Sequence, residues 1–493
     1  MTIATLPHYT QAQKHVDSAS GLSRVLHGAG RAALFKPAQR DIYQRLRLIN
    51  QATPIGFLPP EILGQIFDVA IRSKPPEDNF PWSHPWRRRS LPVTLSQVSG
   101  YWREVALNSP LLWSDVDISP PWALNIIRLY LTRSKSCPIH LNLGIPTIAF
   151  GNLLTPAVAN ASAHILCDII APHISRCRKI TVKGDFHHLE PLLEAVMKIF
   201  HPLRAPRLEH LVMQVTSVRQ TYSSFFSEGA PILSHLRLSC IMMPYLPQLP
   251  KLTSLHLALG DGHGIDLITL HSIATSCTSL ETLALIDDVV CGPWPLTATI
   301  DFPSLRSLQI YGTFTGVSDL LRVVSAPLLE DLVIAPVVAD DLLAYHQGAA
   351  TSAPKFPNLR SITLEPVSAS GFSLLLVAAE CFPDVERLTI PKIYPDSFHD
   401  VFTGVDVDVF WPNLKALAVR NIDTSAMEKL LDVISFRAAA GRPLRTIYLD
   451  SASVCRNSST VLPLALEVVE HDMWMQLILE MTHLVENEFD YLF

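Results

Sequence analysis

Pro250-Lys-Leu-Thr-Ser-Leu-His-Leu257 is the stretch on which the reading of this 493-residue chain turns. Leu255 and Leu257 alternate with Ser254 and His256, the period of a strand with one face buried and the other turned outward. The same unit recurs at Pro206–Met213, Pro231–Leu238, Thr278–Leu285, Pro303–Ile310, Pro327–Ile334, Pro357–Leu364, Pro383–Ile390 and Pro412–Val419, with looser copies at Cys177–Val182 and Leu444–Leu449. Its leading apolar residues, from Cys177 to Leu444, stand 19 to 31 residues apart. Between the strands lie segments of helical spacing, such as Leu320, Leu321 and Val324, or Met427, Leu430, Leu431 and Ile434. Strand then helix, repeated at this period, predicts stacked units in which each covers its neighbour's apolar face.

Working outward, Trp113–Ile118 and Pro138–Leu143 read as degenerate strands of the same array, separated by a helix near Trp122–Arg133. Downstream, Leu466, Val469, Met473, Leu477, Met481 and Leu484 draw one helical stripe. From Asn457 to Phe493 the chain holds seven acids (Glu467, Glu470, Asp472, Glu480, Glu486, Glu488, Asp490) and no Lys or Arg. It reads as a cap helix closing the array, or alternatively as a helix that docks a partner.

The segment Ile55-Gly-Phe-Leu-Pro-Pro-Glu-Ile-Leu-Gly-Gln-Ile-Phe67 is of a different kind. Proline suits an opening helical turn and Glu61 suits its positive end, so a helix begins there with Ile62, Leu63, Ile66, Phe67 and Ala70 on one side. Further on, Leu95, Val98, Trp102 and Val105 recur at helical intervals behind Thr94 and Gln97, which have the spacing of a capping box. So few residues bearing so many large apolar groups make a marginal domain alone, and a covering partner is expected.

Leu58-Pro-Pro-Glu-Ile-Leu63, Val98-x-x-x-Trp102-Arg103 and Pro110-Leu-Leu-Trp113, in that order, resemble an F-box. The following Leu131–Leu143 is similar to what continues the F-box in many mushroom-forming fungal proteins, and the repeats resemble irregular leucine-rich repeats. The spacing between the first two blocks is longer than in compact F-boxes. The expected fold is therefore α/β: a partly disordered arm with a short helix over 1–52, a small all-α F-box over 53–118, a curved leucine-rich-repeat solenoid over 119–456, and an acidic amphipathic C-terminal helical cap over 457–493.

The resemblance implies a substrate-recognition subunit of a Skp-cullin-F-box ubiquitin ligase, without catalysis or cofactor of its own. Leu58, Pro59, Ile62, Leu63, Ile66, Phe67, Val98 and Trp102 would bind the Skp adaptor and, through it, cullin. Trp102 and Trp113 read either as internal core or as contact residues. An unknown target protein would meet the outward strand positions, for which His210, Gln214, His235, Arg237, His256, Gln309, Tyr311, Arg387, Arg420 and Tyr448 are the candidates. These form a mixed surface that names no ligand class. The alternative is an F-box repeat scaffold acting outside ubiquitination.

Composition bounds the rest. With 48% hydrophobic and 17% charged residues the chain has ample material for a core. A net charge of −6 offers no broad basic field, so nucleic acid is not an expected partner. No apolar stretch approaches the roughly 18 residues of a membrane span. Eight scattered cysteines lack the paired spacing of zinc or redox motifs, and reduced thiols fit a cytoplasmic or nuclear protein. The mildly basic N-terminus has a faint transit-peptide look. Arg87-Arg-Arg89 reads as a solvated loop and Gly260-Asp-Gly-His-Gly264 as a turn. His210, His235 and His256 read as solvated side chains rather than metal ligands. Signatures of phosphate-binding loops, nucleophile elbows and zinc proteases are missing.

Overall fold

The computed structural model describes residues 54–72, 91–118, 124–145, 168–185, 204–216, 229–239, 249–258, 265–286, 298–311, 316–349, 355–366, 371–391, 410–457 and 467–470, with short pieces at 44–45, 165–166, 197, 294–295, 399 and 402. The expectations for the N-terminal arm, for Arg87–Arg89, for Gly260–Gly264 and for the chain beyond 470 lie outside these residues. Two compact units divide the chain. The first runs to Ser114 and takes in Arg133–Lys135, and the second holds the rest.

In the first unit the described elements are all helical: α1 (Pro60–Arg72), α2 (Leu91–Val98) and α3 (Gly100–Asn108), with single 3-10 turns at Pro54–Phe57 and Pro110–Trp113. Pro60 opens α1 where its missing amide costs nothing, and Glu61 faces the positive helix end. The expected capping box is corrected. Thr94 lies inside α2, and the residue that caps a helix is Ser99, whose hydroxyl accepts the Trp102 amide at 3.1 Å. Trp113 is fully buried, donating Nε1–H to the Ala106 carbonyl at 2.8 Å under the Arg133 guanidinium, 4.3 Å from its ring centre.

The second unit is built on strands β1 (Asp115–Ile118), β2 (Ile139–Ile145), β3 (Cys177–Asp185), β4 (His210–Thr216), β5 (His235–Ser239), β6 (Ser254–Ala258), β7 (Thr282–Ile286), β8 (Ile300–Asp301), β9 (Ser307–Tyr311), β10 (Val324–Ser325), β11 (Asp331–Val337), β12 (Ser361–Pro366), β13 (Arg387–Ile390), β14 (Ala416–Val419), β15 (Thr446–Leu449) and β16 (Glu467–Glu470). Fourteen of them form one sheet in chain order, while β8 and β10 pair apart. Every pairing is parallel. Crossovers carry α4 (Leu124–Arg133), α5 (Leu267–Ser276), α6 (Val317–Val323), α7 (Ala339–Ala349), α8 (Gly371–Cys381), α9 (Thr424–Ala439) and α10 (Ser451–Arg456).

The repeated Pro-x-Leu has a local cause. At seven of the repeats the proline stands second in a β-turn whose closing bond runs from the leucine amide to the residue before the proline, as in Leu208 to Ala205, Leu252 to Leu249, Leu305 to Phe302 and Leu414 to Trp411. The leading leucines are buried, and so is the row Leu211, Leu236, Leu255, Leu283, Leu308, Leu332, Ile362, Leu388, Leu417 and Ile447, in register from strand to strand. At the start of β5, β6, β7, β9 and β11 to β15, two consecutive amides share one carbonyl of the preceding unit: Ser234 and His235 on Glu209, Thr253 and Ser254 on Ser234, and so on to Arg445 and Thr446 on Lys415. Paired amides thus carry the backbone bonding from one unit to the next.

This architecture replaces the expected curved leucine-rich-repeat solenoid with a helical cap. What stands is an α/β body on one large all-parallel sheet and a separate all-helical unit. The sheet takes Asp115–Ile118 out of the expected 53–118 helical domain. Glu467–Glu470, assigned to the cap helix, is instead strand β16, paired along β15. The three- and four-residue spacing around Val469 suits a helix in isolation, but the open edge of β15 satisfies the backbone of a strand and wins.

Candidate functional site

In the first unit, α1 presents two neighbouring apolar stripes. Leu63 and Phe67 turn inward, at 0% and 1% exposure, and Phe67 meets the half-buried Trp102 ring at 5.0 Å and 55°. Ile62, Ile66 and Val69, spaced by four and three, face outward at 43%, 43% and 63% exposure. Phe57 just ahead of the helix is 74% exposed. Val98 and Leu111 add about half-exposed apolar groups to the same unit. Of the residues expected to contact an adaptor, Pro59, Ile62, Ile66 and Val98 are on the surface. Leu58 is half-buried, its carbonyl accepting the Tyr101 hydroxyl at 2.5 Å. Leu63 and Phe67 are corrected to core residues, because their side of α1 packs within the unit. Phe57, Val69 and Leu111, absent from the expected set, are more exposed than Ile62 and Ile66 within it.

In the second unit, the positions alternate to the leucines build a polar face. His210 and His235 stand side by side on β4 and β5, rings 4.3 Å apart at 30°. Burial, then the charges of His235 and Lys179, hold His210 below the usual imidazole range. Arg237 and His256 are in register on β5 and β6. His256 meets Ser254 Oγ through Nε2 at 3.1 Å, and burial first, then Arg237 and His235, pushes it down to about 4. Gln214 lies opposite Ser239, and Gln309 donates to Ser307 Oγ at 3.3 Å.

The ten outward candidates do not form one site. Tyr311 is corrected: at 8% exposure it belongs to an apolar cluster with Ala258, Ile286, Val333 and Ala335 on this same face. Arg387 lies over the Tyr448 ring at 5.6 Å, five strand steps from β6, or roughly 24 Å across a flat sheet. Arg420 sits one residue beyond β14 rather than on a strand.

Two features escaped the sequence reading. Asp331 on β11 is largely buried and accepts from Ser307 Oγ at 3.2 Å, with Ser361 as a second donor; burial raises its carboxyl above the ordinary range despite both bonds. The residue after each leading apolar position forms a second column, whose charges alternate over Arg178 and Glu209 and again from Glu281 to Lys415. Arg178 meets Glu209 at 2.7 Å, Lys415 meets Glu386 at 2.8 Å, and Arg306 pairs with Glu330. The alternation was visible in the sequence, but only strand pairing turns it into contacts.

Among the described residues no group of three or more His, Cys, Asp or Glu is arranged to hold a metal, and no helix is long and apolar enough to cross a membrane. Cys137, Cys177, Cys277, Cys381 and Cys455 are free thiols, and burial pushes Cys177, Cys277 and Cys381 up to about 12, away from thiolate reactivity. Comparison with known proteins finds no protein-family model that matches the chain and no match among the curated proteins.

Proposed function

We propose that the chain is the recognition subunit of a cullin-based ubiquitin ligase, its helical unit acting as an F-box that docks the Skp adaptor and its sheet unit holding a target protein. The observation that carries this reading is the outward stripe of α1. Ile62, Ile66 and Val69, with Phe57 ahead of them, remain exposed although the adjacent stripe is fully packed. Apolar side chains at helical spacing are a preferred anchor for a partner's groove or helices. Interfaces of ordinary size, about 1,600 Å² in total, concentrate their energy in a few such anchors. The three sequence blocks that resemble an F-box converge on this one unit.

Capture of the purified adaptor by the full chain tests it. Wild type should retain the adaptor and, with it, cullin, and Ile62→Glu with Ile66→Glu should weaken retention by about a hundredfold, since each buries a charge at an anchor. Both positions are exposed in the free chain, so the variant keeps its far-ultraviolet spectrum and melting profile. Unchanged retention by that variant would remove α1 from the interface. Adaptor recovered without cullin would replace the ligase by a scaffold.

A further inference from the structure

Strand register sorts the charges of the sheet's polar face. Across β3 to β6 the outward positions hold Lys179, Lys183, His210, His235, Arg237 and His256. Lys179, Lys183 and His235 are exposed. The acids that follow in register are already engaged: Asp115 meets His140 at 2.7 Å, Asp117 accepts from Asn142 at 3.1 Å, and Asp331 accepts from Ser307. Lys179, His210 and His235 lie in one row, about 4.8 Å apart per strand step. Burial first, and then the charges of His235 and Lys179, hold the His210 imidazole below its ordinary range.

A second observation points to a ligand on the same face. Ser239 and Thr181 are 7% and 8% exposed, and neither hydroxyl has a hydrogen-bond partner among the described residues; the same holds for His256 Nδ1 and Gln309 Oε1. Buried polar atoms of native proteins are nearly always paired. Four such atoms, spread over β3, β5, β6 and β9, mark a surface waiting for donors and acceptors from outside it.

The geometry points to a docking site for an acidic, extended segment of a partner protein laid across β3–β6, its carboxylates against Lys179 and His235 and its amide and hydroxyl groups against Thr181, Ser239 and His256. The inference rests on the reading of the sheet unit as the part that holds a target. Its occupant is a polypeptide rather than a nucleic acid, because among the described residues β3–β6 turn no Phe, Tyr or Trp outward as a platform for bases, and Tyr311 on β9 is buried.

Fluorescence anisotropy with the full chain tests it, using a labelled peptide of alternating glutamate and serine, its glutamine counterpart and a single-stranded oligonucleotide of similar length. The acidic peptide should bind in a salt-sensitive manner, and the glutamine peptide about tenfold or more weakly. Lys179→Glu with His235→Glu should abolish the difference, Lys179→Gln should reduce it, and Arg387→Glu on β13 should leave it intact. Equal binding of acidic and neutral peptides, tighter binding of the oligonucleotide, or indifference to the Lys179 and His235 changes would overturn the inference. Adaptor capture by the wild-type chain separates the two readings. Failure to bind the peptide while the adaptor is captured sinks the docking face alone, whereas peptide binding without adaptor capture sinks the ligase reading alone; Ile62→Glu with Ile66→Glu should leave peptide binding intact.

Discussion

His256 shows what a single residue contributes to the pH response. Its imidazole is pushed down to about 4 by burial and by the charges of Arg237 and His235, against an ordinary value of 6.5. Above 6.5 it is neutral whether the chain is folded or not, and stability is whole. As pH falls from 6.5 towards 4 the unfolded chain takes up a proton that the folded one refuses, and stability is lost, on the order of 3 kcal/mol at most. His256→Gln should therefore flatten the urea midpoint over that window, and parallel curves for variant and wild type would show that the site is solvated. Asp331 runs the opposite way. Its raised carboxyl penalises the folded state once pH exceeds the ordinary carboxylate range, so Asp331→Asn should raise the thermal midpoint near about pH 8 and lose that advantage near about pH 4. Ser307 and Ser361 can donate to the amide oxygen as they do to the carboxylate. A gain that persisted in acid would mean that repacking, not ionisation, was responsible.

At the level of elements, the helical unit separates two readings of the same stretch. Thr94 with Gln97 matches a capping box in letters, yet Thr94 is exposed within α2 while Ser99 accepts the Trp102 amide in the first turn of α3. Ser99→Ala should cost about 1 kcal/mol, and Thr94→Ala should stay within about 0.5 kcal/mol, both read from thermal unfolding. Equal effects would return the cap to Thr94. The strand at Glu467–Glu470 teaches the same lesson. Apolar spacing around it is compatible with a helix, and the available edge of β15 decides for a strand. The turn that starts each unit is different in kind: Pro-x-Leu dictates its own geometry, because proline fixes the second turn position and the leucine amide closes it.

For the whole molecule, sequential parallel pairing means that each strand leans on the one before and the one after. Leu308 on β9 is fully buried, and Leu308→Ala should cost about 2–5 kcal/mol. Its effect in hydrogen exchange should fall on β7, β9 and β11, the strands in direct register, and leave β1–β3 protected. Uniform deprotection of the sheet would show that the unit opens as one.

Much of this was legible in the chain itself. Alternation located the strands and their buried leucines, proline located the turns, and Pro60 with Glu61 located the start of α1, because each of these signals acts within a few residues of its own backbone. The tertiary structure alone decided which of two equally apolar stripes of α1 is covered, sending Leu63 and Phe67 in and leaving Ile62, Ile66 and Val69 out. It also set the register that gathers Lys179, His210 and His235 into one row, carries Arg387 several strands away, and buries Tyr311 among alanines and valine. Periodicity says which side chains share a face; what that face meets depends on partners far off in the chain, whose positions no local pattern encodes.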